Sequence, residues 1–407
     1  MARGILGRWF SDPGSSSRKD RRSCEYEAYL PDALTGRSIK LDAEVATDIA
    51  EAETDIVRLN AETISLVNTE ALARLLLRAE SVASSRIEGL SIGARRLLRM
   101  EAAQHSGDVF HHVTAIDILA NISAMNDSVL EVQKGQTITI GLLKKFHQRL
   151  LKDSHMADHA GHFRTTQNWI GGSHHNPCSA DFIPPPPEHV EELMKDLCSF
   201  CNSDDLPIVA QAAMAHAQFE TIHPFVDGNG RTGRALIHMI MRRRGLAEQV
   251  LVPVSLILAA SSKDYVQGLS ATRYRGPASS RQAHEGLNLW IGRFAVACRR
   301  AVEDVNAFEK RAQRIDIKWR QKLGRVRANS ATDLLIRALL GAPVITVKSA
   351  AALIQRSFPQ VNDAIQRLEQ AGILHQISVG KRNRAFEAPD IIDAFTTLER
   401  RLADASN

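Results

Sequence analysis

Apolar residues recur at steps of three and four along most of the chain, which is the period of helices with one buried face. This pattern runs from Leu41 to about Gly89, returns over residues 113–151, and resumes from Ile208 to Phe219. After a short interruption it continues through Leu236, Met239 and Ile240. The chain is therefore predicted to be mainly α-helical.

One segment, from Phe163 to Pro187, departs from the helical period. Its first part favours a strand and its second part a returning strand, with Gly171 and Gly172 as punctuation between them. The strand-forming residues are Thr165, Thr166, Trp169 and Ile170, followed by Phe182 and Ile183. Four consecutive prolines then stop any longer ladder. This pattern predicts a β-hairpin inserted into a helical protein.

The C-terminal part of the chain follows a different order. It reads as a helix (334–340), a short strand (344–347), two helices joined by a turn (349–354 and 360–371) and two strands around Gly380 and Lys381. Helix, strand, helix-turn-helix and hairpin is the order of a winged helix. The basic residues of the candidate recognition helix are few, chiefly Arg356 and Arg367. DNA binding and protein interaction or packing both stay open for this segment.

Length and composition indicate a multidomain globular protein. The 407 residues are too many for one small domain, and the apolar content is 44%. We expect a basic, flexible N-terminal arm (1–40), an N-terminal helical region (41–112), a catalytic core (113–298), a basic helical connector (299–329) and a winged-helix domain (330–395). The net charge of +5 permits a nucleic-acid partner without requiring one.

No apolar run approaches the roughly 18 residues that cross a bilayer, so no membrane association is expected. The basic N-terminus lacks an apolar stretch and a cleavage site of the secretory kind. The acidic residues Asp12 and Asp20 weaken a mitochondrial reading. The five cysteines are odd in number, have no framework spacing, and fit a reducing cytoplasm. Cys198 and Cys201 form a C-x-x-C within a helical pattern, which favours ordinary helix residues over redox or metal chemistry.

The segment that interrupts the helices, HPFVDGNGRTGR, runs from His223 to Arg234. Gly228 and Gly230 let the backbone approach a ligand closely. The helix that follows directs its free N–H groups and positive dipole end towards this loop, which makes an anion site. Arg231 and Arg234 add cations where the dipole disfavours them. Several negative charges are therefore expected to arrive from outside, as in a polyphosphate.

Three further residues of the segment have the chemistry that such a ligand needs. Asp227 is a hard oxygen ligand of the kind that Mg²⁺ prefers beside phosphates. His223 is a base suited to a hydroxyl proton near neutral pH. Asn229 can donate to a phosphate oxygen. Each residue alone has a structural explanation, but all of them in register indicate phosphoryl or nucleotidyl transfer.

The complete segment resembles the signature of the Fic family, without departures. The hairpin, with its Asn168-Trp169-Ile170-Gly171-Gly172 run, resembles the family's target-docking flap, and Tyr265 and Trp290 fall where the family has aromatic positions. The resemblance implies Mg-ATP as substrate and His223 as the base. It implies that Asp227 binds Mg²⁺ and that the phosphates contact the residues that follow, Gly228, Asn229, Gly230, Arg231, Gly233 and Arg234, together with Tyr265. Related Doc kinases carry Lys in place of Gly230, so the resemblance favours AMP transfer.

A second motif, Ser84-Ser85-Arg86-Ile87-Glu88-Gly89, closes a predicted helix that Gly89 caps. A solvated glutamate at a helix end is the structural reading. The motif resembles the Fic inhibitory motif, and its place before the core matches the subclass with an N-terminal, intramolecular inhibitory helix. By this resemblance Glu88 pairs with Arg234, and Ser84 supports the helix one turn earlier.

The sequence therefore predicts a protein adenylyltransferase with a mainly helical Fic core, an inserted flap and a C-terminal winged helix. It would transfer AMP from Mg-ATP to a hydroxyl of a target protein or of itself, under inhibition by Glu88. Two alternatives stay open: an enzyme that removes AMP with water positioned by Glu88, and a DNA-binding regulator with a nucleotide-sensing core. A homodimer is also left open.

Overall fold

The computed structural model describes residues 1–11, 21–64, 69–105, 112–173, 175–379 and 383–404. The helices are α1 Ala43–Ile64, α2 Thr69–Ile87, α3 Ala94–His105, α4 Val113–Glu131, α5 Ile140–Leu151, α6 Val190–Cys201, α7 Ile208–Ile222, α8 Asn229–Arg243, α9 Val254–Ala260, α10 Ser262–Ala271, α11 Arg281–Leu323, α12 Ala331–Leu339, α13 Val347–Ile354, α14 Phe358–Gln370 and α15 Pro389–Asp404. The strands are β1 Arg3–Trp9, β2 Cys24–Leu30, β3 Val344–Thr346, β4 His375–Val379 and β5 Asn383–Glu387. The prediction of a mainly α-helical fold is confirmed.

The chain divides into two compact units. Unit 1 comprises Met1–Glu53, Asp127–Leu246 and Lys263–Val296, and unit 2 comprises Thr54–Asn126, Ala247–Ser262 and Ala297–Asn407. Each unit is assembled from three separate stretches of the chain. The five consecutive segments predicted from the sequence stay a prediction. The predicted connector (299–329) begins inside α11, which is one uninterrupted helix. A helical period shows that a face is buried but does not identify the element that covers it.

The centre of unit 1 is built from α7 and α8. Every residue of α7 from Val209 to Ile222 is buried. Five of them are alanines, whose small side chains let a neighbouring helix come close, and one is a methionine. Gly233 of α8 lies against α7, where an added Cβ would stand 2.7 Å from Glu220 Oε1. Gly233 was predicted among the phosphate-binding residues, and that contact stays a prediction; the structure adds a packing reason for a glycine at this position. Close contact of the two helices fixes the loop that joins them.

The N-terminal segment forms a two-stranded antiparallel sheet, which we call the N-terminal hairpin (β1 and β2). Its register pairs Arg3 with Leu30 at one end and Trp9 with Cys24 at the other. The prediction of a flexible arm over residues 1–40 is therefore corrected for these two strands, while residues 12–20 lie outside the described part of the chain. The segment is fixed to unit 1 by Gly276, whose N–H donates to the carbonyl of Ala2 at 3.0 Å. The basic residues around β1 and β2 concealed the alternation of apolar and polar positions along these strands in the sequence.

A disulfide joins Cys24 to Cys178, whose Cα atoms are 5.7 Å apart. This finding corrects the expectation that all five cysteines are reduced, because pairs separated by 154 residues leave no local spacing signal in the sequence. Cys198, Cys201 and Cys298 are free and buried. Burial raises the pKa of the Cys198 thiol to about 11. Cys198 and Cys201 both lie on α6, as ordinary helix residues do.

In unit 2, α2 packs against α9 through a buried carboxylate. Glu80 accepts hydrogen bonds from the N–H and the hydroxyl of Ser255, at 2.8 and 2.5 Å. The C-terminal part contains α12, β3, α13, α14, β4 and β5 in the predicted order, with the strands arranged β3-β5-β4. The basic turn at 380–382 lies outside the described residues. The name winged helix for this arrangement stays a prediction.

Across the described ranges, no helix has the length and apolar character that crossing a bilayer requires.

Candidate functional site

The segment from His223 to Arg234 forms the connection between α7 and α8. His223 ends α7 in the left-handed region, with a φ of 49°, and its N–H donates to the carbonyl of Phe219 at 2.9 Å. Gly228, with a φ of 75°, precedes the first residue of α8. A left-handed conformation is uncommon for a residue other than glycine, and the surrounding contacts must hold it. The turn therefore directs His223 out of the helix.

Asn229 closes this loop on itself. Its Oδ1 accepts from the N–H of Phe225 and its Nδ2 donates to the carbonyl of Phe225, both at 2.9 Å. The side chain is almost fully buried. The sequence predicted a phosphate contact for Asn229, and that contact stays a prediction. The structure adds a loop-closing function that the sequence did not indicate.

Two residues of the flap hold the same loop from the other side. The Arg164 Nε donates to the carbonyl of His223 at 2.9 Å, and its Nη2 donates to the carbonyl of Pro185 at 2.5 Å. Asn168 Nδ2 donates to the carbonyls of His223 and Phe225, at 3.3 and 3.2 Å. Burial lowers the pKa of Arg164 to about 10, which leaves it charged at neutral pH. The buried cation thus joins the flap to the loop.

His147 of α5 supports the loop from below, and the sequence analysis missed it. Its Nδ1 accepts from the N–H of Gly161 at 2.9 Å, so its Nε2 carries the proton and donates to the carbonyl of Asp227 at 2.8 Å. The imidazole also stacks on Phe225, with the ring centroids 3.7 Å apart. Burial lowers the pKa of His147 to about 4, so the ring is neutral. A separation of 80 residues gives no sequence signal for this contact.

We expect His147→Phe to lower the rate of the chemical step by about tenfold, because an unsatisfied buried carbonyl costs about 1–3 kcal/mol and frees the backbone at Asp227. His147→Gln should recover much of that loss, since its amide can donate from a position near Nε2. Steady-state kinetics of the two variants check this expectation. Equal loss in both would mean that the ring, and not its hydrogen bond, is what matters.

The neutral histidines of unit 1 also predict a dependence of stability on pH. The pKa of His147 is about 4 and that of buried His216 about 3, against an ordinary value of 6.5. Between these values the unfolded chain binds more protons than the folded chain, so stability falls as the pH drops below about 6.5. For His147 the shift corresponds to about 3 kcal/mol. Urea unfolding at pH 7.5 and 5 should show a smaller difference for His147→Gln than for the wild type, and an unchanged difference would contradict this assignment.

Arg231 lies at the first turn of α8 with unused hydrogen-bonding capacity. Its side chain is 4% exposed, and its Nη2 lies 3.4 Å from Asp227 Oδ2. Its Nε and Nη1 are buried and have no hydrogen-bond partner among the described residues. Leaving a buried cationic donor unpaired is costly, so such donors normally have a ligand. The geometry therefore fits an anion at the N-terminus of α8.

Arg234 lies one turn further along α8 and belongs to a buried polar chain. Its Nη1 donates to the Tyr265 hydroxyl at 3.5 Å, and that hydroxyl lies 2.9 Å from His216 Nε2. Burial, with the positive charge of Arg234, keeps His216 neutral. Trp290 packs beside Tyr265 and donates from Nε1 to the carbonyl of Ala213 at 2.8 Å. The two predicted aromatic positions thus lie behind Arg234.

His223 has an acidic neighbour that the sequence analysis also missed. Glu220, one turn earlier on α7 and buried, places Oε2 3.9 Å from His223 Nδ1. This distance is too long for a hydrogen bond but short enough for attraction to a protonated ring. A carboxylate at that distance favours the imidazolium that forms when His223 accepts a proton.

The flap keeps the predicted bend but has less strand than expected. Ile170 and Phe182 form an isolated antiparallel bridge in place of two extended strands. Gly171 and Gly172 both have positive φ values, and an added Cβ at Gly172 would collide with the carbonyl of Ser179 at 2.3 Å. These two residues form the turn that the sequence predicted. Thr165 and Thr166 are exposed, and Trp169 is half-buried.

The structure brings a histidine and a carboxylate of the loop after α7 together with the N-terminus of α8 and two arginines of its first turns. Residues 137–241, which contain all of them, match the model of the Fic/DOC family. Residues 46–129 match the model of the Fic/DOC family N-terminal region. The chain carries a Fic domain.

Relatives of this Fic domain include protein adenylyltransferases. The protein adenylyltransferase fic-1 of Caenorhabditis elegans is 33% identical over 174 residues, which cover 41% of this chain and 32% of that protein. The protein adenylyltransferase Fic of Nematostella vectensis is 28% identical over 197 residues, covering 47% of this chain and 42% of that protein. The match thus spans less than half the length of these relatives.

The fold of the Fic domain and its surroundings also has a counterpart among solved structures. A Fic family protein from Desulfovibrio desulfuricans aligns with a TM-score of 0.52 over 86% of this chain and 97% of that chain. The sequence identity is 19%, so this likeness concerns the fold.

The motif that resembles the inhibitory segment lies in unit 2, whereas the segment from His223 to Arg234, which we call the Fic loop, lies in unit 1. Ser84 is buried on α2, and Glu88 follows the last residue of that helix. Gly89 has a φ of 79°, and its N–H donates to the carbonyl of Arg86 at 2.9 Å. The left-handed glycine that ends the helix was predicted from the sequence. The pairing of Glu88 with Arg234 stays a prediction.

Proposed function

We propose that the chain is a protein adenylyltransferase that moves AMP from ATP to a hydroxyl side chain of a protein. The observation that carries this proposal is the buried Arg231, whose Nε and Nη1 lack partners in the described structure at the N-terminus of α8. A triphosphate supplies the negative charge that these donors and the helix N-terminus would bind. His223 lies at the other end of the loop that leads to α8, and we propose it as the base that accepts the proton of the target hydroxyl. The protein adenylyltransferase names of the relatives agree with this proposal.

In the proposed reaction His223 takes the proton of the target hydroxyl, and the hydroxyl oxygen attacks the α-phosphorus of ATP. The bond to the bridging oxygen breaks and pyrophosphate leaves. The Gly228 and Gly230 backbone holds phosphate oxygens, Arg231 binds the β- and γ-phosphates, and Arg234 contacts the γ-phosphate. Glu220 stabilises the imidazolium that His223 becomes. The enzyme acts chiefly by positioning and by charge.

A magnesium ion fits this site only together with the nucleotide. No group of three or more potential ligands occurs among the residues that the structure describes. Asp227 offers one carboxylate, and its side chain is 46% exposed. Mg²⁺ is commonly held by one or two carboxylates together with substrate phosphates, which agrees with a single acidic residue here. When bound, the ion would offset phosphate charge, and Asp227 would hold it.

Asp227→Ala should weaken binding of Mg-ATP, and high Mg²⁺ should restore it only in part, because the carboxylate would be lost from a shared coordination shell. The Mg²⁺ concentration that gives half-maximal activity should therefore rise by about tenfold or more. Asp158→Ala, which removes an exposed carboxylate elsewhere in unit 1, is the control. A metal titration of Asp227→Ala that coincided with the wild type would exclude Asp227 as the ligand.

The target is proposed to dock along the flap. Thr165 and Thr166 are exposed, and the carbonyl of Thr166 accepts from Arg164 Nη1 at 3.2 Å. We propose that an extended segment of another protein pairs with the remaining backbone groups of this edge. Pairing through the backbone accepts many sequences, and the choice of target then depends on side chains around the edge. The same edge is open to a segment of a second copy of this chain, which would give automodification.

The contacts of the C-terminal part of unit 2 support protein interaction or packing more than they support DNA binding. Arg367 of α14 donates from Nη2 to the carbonyls of Leu323 and Arg325, at 3.0 and 2.9 Å. Arg356 donates to the carbonyl of Asn329 at 3.3 Å. The two basic residues expected on the recognition helix therefore contact protein backbone. We propose packing and protein interaction as the function of this part, with DNA binding as the alternative.

The test of the proposed reaction uses two samples of ATP, one labelled on the α-phosphate and one on the γ-phosphate. Adenylyl transfer attaches the α label to protein and leaves the γ label in pyrophosphate, whereas a kinase does the reverse. The full chain is incubated with each sample, in the wild type and in Glu88→Gly. Transfer of the γ label, or of neither label in both proteins, would overturn the proposal.

A further inference from the structure

The N-terminal hairpin is attached to the flap at two points that face each other across the hairpin. Trp9 and Cys24 are directly paired residues of β1 and β2. Cys24 is bonded to Cys178, in the turn between the first arm of the flap (163–172) and its second arm (180–187). Trp9 packs edge-on against Trp169 of the first arm, with ring centroids 5.3 Å apart. One end of the hairpin therefore holds both the turn and the first arm.

The second arm of the flap rests on the other part of the hairpin. The N–H of Tyr29 donates to the carbonyl of Ile183 at 2.9 Å, and the Tyr29 ring packs on Phe182 at 6.0 Å. Thr165 and Thr166 of the first arm stay exposed. The hairpin thus supports the flap and leaves the proposed docking edge open.

Among the cysteines that the structure describes, those accessible to solvent lie at this contact. Cys24 and Cys178 are partly exposed, whereas Cys198, Cys201 and Cys298 are buried. Burial raises the pKa of Cys198 and Cys201, which disfavours their reactive thiolates. Accessible disulfides are the ones that exchange with external thiols. A reductant would therefore reach Cys24–Cys178 and leave the other cysteines unchanged.

We propose that Cys24–Cys178 is a thiol–disulfide exchange site that controls docking of the protein target on the flap. This inference rests on the proposed adenylyl transfer and adds a regulator to it. The reacting partner is a dithiol. Its thiolate attacks one sulfur, the Cys24–Cys178 bond breaks, and the released sulfur takes up a proton. The second thiol of the reductant then resolves the mixed disulfide, so that two electrons pass to the protein and the dithiol becomes a disulfide.

The oxidised form is the form competent for docking. With the bond in place, the turn and the first arm are held in one geometry, and an incoming segment does not have to order them. After reduction the Tyr29 contacts and the attachment at Ala2 remain, so the hairpin stays folded. At its far end the packing of Trp9 on Trp169 is then the contact that still joins the hairpin to the flap, and the turn at Cys178 loses its covalent attachment. Reduction should therefore lower the rate of protein modification by about three- to tenfold and leave ATP binding unchanged.

The experiment compares the full chain, oxidised and treated with dithiothreitol, with the double variant Cys24→Ser/Cys178→Ser. Amide hydrogen exchange of residues 163–173 and 175–187 is measured without nucleotide, and labelled AMP transfer is measured in a Glu88→Gly background. Intact mass confirms the gain of two hydrogens on reduction. We expect faster exchange in the flap and slower transfer after reduction. The double variant should match the reduced protein and should not respond to dithiothreitol.

The outcomes separate this inference from the function on which it rests. Faster flap exchange on reduction, with no AMP transfer in any sample, would support the coupling of disulfide and flap and reject the adenylyltransferase. Equal flap exchange and equal transfer in both redox states would reject the exchange site as a regulator. Faster exchange with an unchanged rate of transfer would also reject it, because docking would then be independent of the bond.

Discussion

Glu88→Gly is expected to raise the rate of AMP transfer by orders of magnitude, with automodification as the most direct signal. If Glu88 holds Arg234, its removal lets the guanidinium bind the γ-phosphate, and ATP can adopt the in-line geometry that transfer requires. The affinity for ATP should change little. Intact-mass analysis after incubation with Mg-ATP measures the gain of one AMP per hydroxyl modified.

Two further variants define the reason for this gain. Glu88→Gln keeps the size of the side chain and removes its charge, so it should release most of the activity if an ion pair is the brake. Glu88→Gly with Arg234→Ala should lose the gain, and its effect should differ from the sum of the single changes, as for residues in contact. If Glu88→Gly is no more active than the wild type, the brake is rejected. If it instead loses an activity that removes AMP from protein, the reverse reaction becomes the main function.

The second large effect is expected for His223→Ala, which should lower transfer by about 100- to 10,000-fold, the range for loss of a general base. Binding of ATP should be nearly intact, because the imidazole acts on the attacking hydroxyl and the phosphates contact other groups. Equilibrium binding of ATP and single-turnover transfer, measured on the same protein, separate these two effects.

The control for His223 is His155→Ala, which removes an exposed histidine of unit 1 and should leave both quantities unchanged. The measurement is sharpest in the Glu88→Gly background, where the starting rate is high. Wild-type rates in His223→Ala would exclude the base function, and loss of ATP binding together with transfer would indicate a collapsed loop.

The sequence predicted a local feature well where the backbone conformation there requires one particular residue type. The left-handed Gly89 at the end of α2, the turn at Gly171 and Gly172, and the helix that starts after Gly228 all follow from the backbone freedom of glycine. The long helical periods predicted a mainly α-helical chain. The predictions failed for contacts between distant segments. The Cys24–Cys178 disulfide and the Tyr29–Ile183 hydrogen bond join residues more than 150 positions apart.

The supports of the Fic loop belong to the same class of missed contacts. His147 and Arg164 stabilise backbone carbonyls, and a carbonyl has no side-chain identity that a sequence pattern could reveal. His216 acts through Tyr265 and is one of many histidines in the chain. Residues that bind substrate carry a recognisable chemistry, whereas residues that hold them in place are defined only by the fold.

The C-terminal part of the chain cannot be treated as a detachable module. Val344 and Ile392 form a common core cluster in unit 2 with Leu98 and Ala102 of α3. Removing residues from Ser330 onward would expose this core. Point substitutions on the surface of α14 are therefore the appropriate way to examine what this part binds.

The side chain of Arg164 connects the flap to the Fic loop. One guanidinium binds the carbonyl of His223 through Nε and the carbonyl of Pro185 at the base of the flap through Nη2. A displacement of the flap therefore pulls on His223, the residue that we propose removes the target's proton. Substrate proteins that fit the flap poorly should consequently be turned over slowly even at saturating concentration, so that selection among targets is expressed in kcat as well as in KM.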